Sequence, residues 1–496
     1  MRAEILALGR TSLVYGTGQV LLRVINLLLL PVFTAYLTPA DYGVVSVLTL
    51  ATFFLAPVFA LGIPSAIGLF YYDDAAPAAR SRIITTAVTV LAASGGILVL
   101  AGAATAPWLV GILFPGATGA RDLPLLLVLS IATAATANVT QPLLLQLQLE
   151  RRARTFVLLT VASTLITIGL SVAAVVGLRA GVLGLVAASF IGQLIGAGLA
   201  LVLTSRGARL SFDASVARRL LRIGIPLIPS FLFVFVILQA NRYLIQVERG
   251  LDDVGIYTIG FNLGFAISIV VSGFTSAWFP FFLSYGDRQD EARPLFGRIT
   301  TYYVVGIGSL ALLFFMAARP AVLILTRESF HDAYLVVGAS ATAQFLLGLQ
   351  SVLLAGVYFA KDVRSVPVIQ GISAAVALVL NVTLIGWIGM AGAGIALVAG
   401  TLVMVVLQHG LNLWRGYLRV VYEWSRLVRF GVAFVALAIA FSWPRGLPLA
   451  VEILMSAAGT AALAVVVIRL LTPAERDLLL HAPAQWLRSR STAAIP

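Results

Sequence analysis

About fourteen apolar segments, each long enough to cross a bilayer, follow one another along this chain with no polar domain between them. A helix needs about 20 apolar residues to cross the hydrocarbon core. Charged residues make up 11% of the 496 residues, against about 25% in soluble domains. The sequence therefore predicts an all-α integral membrane protein. The predicted spans cover 12–36, 42–69, 83–106, 123–147, 155–178, 181–204, 223–246, 254–284, 299–318, 333–360, 365–387, 389–412, 428–444 and 449–470.

The basic residues predict the orientation of these spans. With a cytoplasmic N-terminus, 25 of the 33 basic residues fall in inner segments, six in outer loops and two inside spans. This is the positive-inside bias. It predicts an even number of spans and both termini in the cytoplasm. The excess of arginine over lysine and the alanine richness suggest a GC-rich bacterial genome, so a bacterial inner membrane is the expected location. A net charge of +13 could suit nucleic acid, but these arginines lie in short loops between spans, so no nucleic-acid partner is expected.

The chain also contains an internal repeat. Asp41-Tyr42-Gly43 recurs as Asp253-Val254-Gly255, and Arg10 recurs as Arg222, both 212 residues later. Each unit holds six spans, an even number, so the two units enter the membrane in the same sense. Such a parallel repeat has its axis along the membrane normal. It predicts an N-lobe (1–210, spans 1–6), a C-lobe (211–414, spans 7–12) and an extension (415–496, spans 13–14 and a cytoplasmic tail). Two like lobes around a central cavity suit a transporter better than a catalyst.

Ionisable side chains inside spans are functional candidates, and Arg23 is the strongest. It lies eleven residues into the first span, roughly 16 Å deep at 1.5 Å per residue. Gln19 and Asn26 share its helix face. We expect this polar stripe to face the cavity, because exposing it to lipid would cost several kcal/mol. The alternative is an arginine that bonds backbone carbonyls and holds two helices together.

Further candidates lie on the seventh and eighth spans. Arg242 is near the outer end of the seventh span, beside Asn241 and on a face with Gln239. It could face the cavity or extend to the outer interface with its charge in water. Asn262 on the eighth span is a further candidate for the cavity wall. Before the second span, Asp41 is well placed as a helix N-cap, a structural role.

Several classes of site are missing from the sequence. There is no cysteine, and the three histidines lie far apart, so no metal site or cofactor is expected. None of the 20 acids lies deep in a span, and the nearest is Glu452, at the start of the fourteenth. No catalytic residues are assigned, since the outer loops are too short to carry a glycan polymerase or ligase site. Arginine and amides without a carboxylate favour an anion that also offers hydroxyls, such as a lipid pyrophosphate carrying sugars.

Three stretches of the sequence form recognisable signatures: Arg23-Val24-Ile25-Asn26, Leu37-Thr38-Pro39-Ala40-Asp41-Tyr42-Gly43 and Asn241-Arg242-Tyr243-Leu244. They resemble the polysaccharide-biosynthesis, O-antigen flippase-like family of the multidrug/oligosaccharidyl-lipid/polysaccharide exporter superfamily. The resemblance implies two six-helix lobes and alternating access that carries a polyprenyl-linked glycan outward, with membrane lipids and other polysaccharide-assembly membrane proteins as partners. The family often has Asp where this chain has Asn241, which weakens carboxylate-based ion coupling.

The sequence is also compatible with two other transport functions. A peptidoglycan lipid-precursor flippase would differ in its glycan and not in its chemistry. A multidrug or cation exporter of the same superfamily would be expected to hold a cavity carboxylate, which this sequence does not show.

Overall fold

The computed structural model describes residues 25, 29–71, 76–115, 122–150, 152–204, 212–283, 285, 288–360, 362, 365–442, 447–473 and 475. In this part of the chain twelve helices are long and apolar enough to cross a membrane, and a bent pair makes thirteen. The first predicted span lies mostly outside the described residues, and its described residues, 25 and 29–36, are helical. The predicted all-α membrane class is confirmed.

The helices form two lobes followed by two more helices, in the order predicted. They are α1 (29–36), α2 (Pro39–Phe59), α3 (Ile63–Phe70), α4 (Pro77–Leu113), α5 (Leu123–Leu149), α6 (Ala153–Val172), α7 (Gly181–Thr204), α8 (Ala214–Gly224), α9 (Ile228–Arg249), α10 (Leu251–Phe265), α11 (Ser268–Leu283), α12 (Gln289–Leu325), α13 (Tyr334–Leu353), α14 (Ala355–Phe359), α15 (Ser365–Ile388), α16 (Met390–Trp414), α17 (Trp424–Ser442) and α18 (Leu449–Leu470).

The second predicted span is broken into two helices, α2 and α3. Leu61 and Gly62 separate them with positive φ angles of 53° and 63°. A helix break inside a membrane frees backbone carbonyls, which need new donors. Ser94 on α4 donates to the freed carbonyl of Phe59 (2.8 Å). Asn138 on α5 adds a second bond (3.0 Å) to the carbonyl of Ala56, which already accepts from the backbone N–H of Ala60. Neighbouring helices therefore bond the end of α2 where it breaks.

The start of α2 corrects one prediction. Thr38, not Asp41, is the N-cap residue, and its side chain accepts from the backbone N–H of Asp41. The Asp41 carboxylate accepts in turn from the backbone N–H of Thr38 (2.8 Å). This reciprocal capping box places the acid at the third helical position, so Asp41 keeps the structural role that the sequence predicted for it.

Helices α17 and α18 pack against α12. Near one end of α12, Arg319 Nη1 lies 3.3 Å from Glu452 Oε1 on α18. In the first half of α12, the Tyr302 hydroxyl donates to Oε1 of Glu475, which follows α18 (2.7 Å), and Arg426 Nη2 on α17 lies 2.9 Å from Oε2 of the same carboxylate. Polar contacts therefore join α18 and the segment after it to α12 and α17.

Glu475, which follows α18, is held in its ionised form. Partial burial opposes ionisation, but hydrogen bonds from Thr472, Tyr302 and Arg426 outweigh it and lower the pKa of Glu475 to about 2. A depressed pKa stabilises the fold above the ordinary glutamate pKa, and that stability is lost only as the pH falls toward 2. This contact therefore stays intact at neutral pH.

Candidate functional site at the lobe interface

The two lobes meet where α2 packs against α10, and glycines allow their backbones to touch. A Cβ atom at Gly43 would overlap the carbonyl oxygen of Leu251, and one at Gly255 would overlap that of Pro39. Position 251 is the repeat partner of 39, and 255 is that of 43, each 212 residues on. The two contacts are therefore the same contact made twice, as a two-fold axis requires.

One pair of residues lies close to that axis. The Thr258 hydroxyl donates to the Ser46 hydroxyl at 2.7 Å, and these two residues are also 212 positions apart. A residue touches its own repeat partner only near the symmetry axis. We call the contacts of Gly43, Ser46, Gly255 and Thr258 across α2 and α10 the interlobe seal. It lies at the end of the lobes that the sequence predicts to be outer.

Further contacts close the same end of the interface. On α9, the Tyr243 hydroxyl donates to the carbonyl of Ile112 (3.2 Å), and Gln246 Nε2 donates to that of Leu113 (2.5 Å). Both acceptors lie at the last turn of α4 in the other lobe. Two helices of the C-lobe, α9 and α10, thus contact the N-lobe near this end.

Closing this seal depends on the absence of a side chain at Gly43. We expect Gly43→Ala to disfavour the sealed state by about 1–3 kcal/mol, the usual cost of overpacking, which is a population shift of about 5- to 150-fold. A cysteine placed at Ser46 in the Gly43→Ala background should then react faster with a membrane-impermeant maleimide added outside.

The matched control for this change is Gly111→Ala on α4. It adds the same methyl group within a helix, at a position where a Cβ has no other atom within 4 Å. Equal labelling rates in the Gly43→Ala and Gly111→Ala backgrounds would show that close backbone packing at Gly43 does not hold the lobes together.

Arg242 lies buried beside this interface. Only 6% of its surface is exposed, so it does not extend to the outer interface. Its guanidinium carbon lies 4.6 Å from the centre of the Phe261 ring on α10. Within the described part of the chain its Nη1 has no hydrogen-bond partner, and no salt bridge pairs it with a carboxylate. A buried cation without such partners lowers the stability of the folded protein unless an anion or water reaches it.

The neighbours of Arg242 on α9 are also incompletely bonded. Asn241, 1% exposed, donates to the Tyr257 hydroxyl on α10. Its Oδ1 and the Oε1 of Gln246 have no partner among the described residues. Buried polar atoms without partners are few in native proteins and call for an explanation. Here they cluster on the helix that touches both lobes.

The other predicted site residues do not all join this cluster. Gln239 is half-buried one turn earlier on α9, whereas Asn262 is exposed on α10. Successive helical residues point about 100° apart, so Asn262 and the adjacent Phe261 lie on different faces. Gln19, Arg23 and Asn26 lie outside the described residues. Tyr257 and Phe261, which position Asn241 and Arg242, were not among the predicted site residues.

With this geometry established, comparison with known proteins identifies the family. The chain matches the family described as polysaccharide biosynthesis protein over residues 8–285, more than half of its length. It belongs to that family. The resemblance seen in the loop signatures is thereby confirmed. No curated protein sequence matches the chain.

Solved structures of transporters share its fold. A lipid II flippase MurJ in an inward closed conformation aligns with a TM-score of 0.70 at 11% identity, covering 92% of this chain and 99% of that one. An inward-facing multidrug resistance MATE family transporter of the MOP superfamily aligns with a TM-score of 0.63 at 14% identity, covering 84% and 98%. An outward-facing MATE family transporter aligns at 0.52, with 15% identity and coverage of 87% and 96%. The two-lobed transporter fold is therefore that of this chain.

Proposed function

We propose that this protein moves a polyprenyl-pyrophosphate-linked oligosaccharide, a precursor of cell-surface polysaccharide, from the cytoplasmic to the outer leaflet by alternating access. It would work in the inner membrane of a bacterium, with both termini in the cytoplasm. The observation that carries the proposal is the charge inside the two lobes. Arg242 is buried at the lobe interface, its Nη1 has no hydrogen-bond partner among the described residues, and no acid of the described lobes is buried with it.

The distribution of acids favours an anionic cargo over a cationic one. Among the described residues Glu452 is the one buried acid. It lies on α18, outside the two lobes, and pairs with Arg319. A multidrug or cation exporter would need a carboxylate where its cation binds, and the interface carries Arg242 and amides instead. Arginine binds phosphate oxygens through paired hydrogen bonds, while amides suit sugar hydroxyls.

Energetics also permit outward movement of such a cargo. In a cell that is negative inside, moving one negative charge outward gains about 2.3 kcal/mol per 100 mV. A pyrophosphate with about two charges would gain roughly twice as much. A buried carboxylate for proton or sodium coupling is therefore not required for this direction of transport.

The family description supports a polysaccharide precursor over a peptidoglycan precursor. The flippase with the same fold is a lipid II flippase, but identity of 11% carries the fold alone. The family of this chain is described by polysaccharide biosynthesis. Membrane lipids and other membrane proteins of polysaccharide assembly are the partners that this function implies.

Arg242 gives a prediction that separates function from packing. We expect Arg242→Met to lower transport at least tenfold while leaving the protein as stable or more stable. Replacing buried charges by apolar groups of similar size is often neutral or stabilising by about 1–4 kcal/mol. The measurements are transport by cells and thermal stability of the purified protein.

A second arginine on α9 is the control for Arg242. Arg249 donates to the carbonyl of Gly386 (2.8 Å) and is exposed, so Arg249→Met should leave transport nearly intact. Loss of stability with normal transport in Arg242→Met would identify Arg242 as a packing residue.

Deletion of the gene in its host tests the proposed function. Polyprenyl-linked intermediates and surface polysaccharide would be extracted together, with a plasmid copy as the control. We expect finished lipid-linked repeat units to build up on the cytoplasmic face, surface glycan to be lost and the plasmid to restore both. Unchanged pools and a normal surface, in a host without a redundant homologue, would contradict the proposal and favour drug export.

A further inference from the structure

The short helix α8, which connects the two lobes, carries a strong positive charge on one face. Its three arginines, Arg218, Arg219 and Arg222, are exposed, and their spacing of three and four places them on one side of the helix. Ala217, Leu220 and Gly224 are buried on the opposite side. No acidic residue lies within the helix, so its exposed face has a net charge of +3.

The flanks of α8 indicate that this face lies at a lipid surface. Phe212, just before the helix, is 61% exposed, and Ile225, just after it, is 51% exposed. The helix follows the membrane span α7 and precedes α9, so both of its ends are tethered to the bilayer. A helix with arginines and exposed apolar flanks is suited to the boundary between headgroups and acyl chains.

The first turn of α8 does not supply the attraction for anions, because it is already capped. Asp213 accepts hydrogen bonds from the backbone N–H groups of Ser215 (2.9 Å) and Val216 (3.3 Å). Arg82 on α4 lies 3.6 Å from the same carboxylate. The positive charge that faces outward is therefore that of the side chains, and Arg218 and Arg222 have no ion pair with any described carboxylate.

A crevice beside the helix gives the lipid a place to bind. It has a volume of about 150 Å³ between α3, α4 and α8, with Arg82 and Arg219 among its lining residues. Its other walls are largely apolar, including Phe70 and Ile83. The arginines of the crevice suit a phosphate headgroup, and its apolar walls suit the first part of an acyl chain.

From these observations we propose that α8 binds the headgroup of an anionic phospholipid in the cytoplasmic leaflet. The helix packs against α3 and α4, and Gly224 at its end touches the backbone of Leu61 and Gly62 at the α2–α3 break. A bound phospholipid would therefore hold α8, the helix that connects the two lobes, against the N-lobe. This proposal is independent of the cargo.

The test is lipid binding by the full chain in a neutral detergent, followed by native mass spectrometry. The probes are dioctanoyl phosphatidylglycerol and, as its uncharged counterpart, dioctanoyl phosphatidylcholine. An arginine near an anionic surface contributes about a 5-fold gain in affinity. The variant R219Q/R222Q removes the arginine of α8 that lines the crevice and its neighbour one turn further on, so it should bind phosphatidylglycerol about 30-fold more weakly. Added salt should weaken wild-type binding.

A matched double variant, R179Q/R327Q, controls for the loss of two positive charges. Both of its arginines are exposed in loops that the sequence predicts to be outer, and its binding of phosphatidylglycerol should equal that of the wild type. Equal weakening in both double variants, or equal binding of both lipids, would overturn the proposal. Tighter binding of geranyl pyrophosphate than of phosphatidylglycerol through the same arginines would also overturn it, because the exposed face of α8 would then bind the transported cargo and not a membrane lipid.

Discussion

Oxidation of the double variant Ser46→Cys/Thr258→Cys is expected to stop transport, and reduction is expected to restore it. The two hydroxyls are 2.7 Å apart across the interlobe seal, close enough for cysteines in their place to form a disulfide after small adjustment. The natural chain has no cysteine, so the new bond has no competitor. A covalent bond at the axis holds the lobes together at this end, and outward opening requires them to part.

The cross-link needs a control that joins helices within one lobe. A Cβ atom at Gly95 on α4 would lie 3.2 Å from the Cβ of Ala135 on α5, both in the N-lobe, close to the separation of about 3.5–4.5 Å between the Cβ atoms of a disulfide. Gly95→Cys/Ala135→Cys should therefore cross-link without blocking transport. Residual transport by the seal variant should match the fraction left unoxidised, as measured by gel shift. Full transport by completely oxidised protein would show that the seal does not open.

Replacement of Arg23 should have the other large effect. Its predicted depth in the first span, roughly 16 Å, would place the only arginine of that span where a phosphate group crosses the bilayer centre. We expect Arg23→Ala to abolish transport with normal expression, whereas Arg23→Lys should keep part of it, because lysine retains the charge but not the paired hydrogen bonds.

The surface arginine Arg179 is the control for Arg23. It is exposed in a predicted outer loop, so Arg179→Ala should transport normally. The measurement is recovery of surface glycan by each variant in the deletion host, with protein level determined by immunoblot. Normal transport by Arg23→Ala would make Arg23 a packing residue and would leave Arg242 as the candidate for the anion contact.

Much of the fold could be predicted because hydropathy alone reports membrane spans. The repeat offset of 212 residues, which relates Asp41-Tyr42-Gly43 to its partner, also relates the residues of the interlobe seal. Adding 212 to Ser46 gives Thr258, and near a two-fold axis repeat partners touch one another. The pairing could therefore have been deduced from the sequence once an axis was inferred.

Other features depend on tertiary packing and could not be predicted. The break at Leu61 and Gly62 lies within an unbroken apolar segment, and it is stabilised by Ser94 on α4, which donates to the freed carbonyl of Phe59. The burial of Arg242 over Phe261 likewise depends on how α9 and α10 cross. Hydropathy reports that a residue is within a span and not which neighbour it meets.

The most direct measurement is transbilayer movement of the lipid-linked intermediate by purified protein in liposomes. Intermediate extracted from the deletion strain would be reconstituted with wild-type protein or with oxidised and reduced Ser46→Cys/Thr258→Cys. A membrane-impermeant glycosidase would then measure the fraction of glycan that becomes accessible over time. Wild-type and reduced protein should expose the glycan rapidly, and oxidised protein should expose little of it. Exposure no faster than in protein-free liposomes, or equally fast with the lobes cross-linked, would contradict flipping by alternating access.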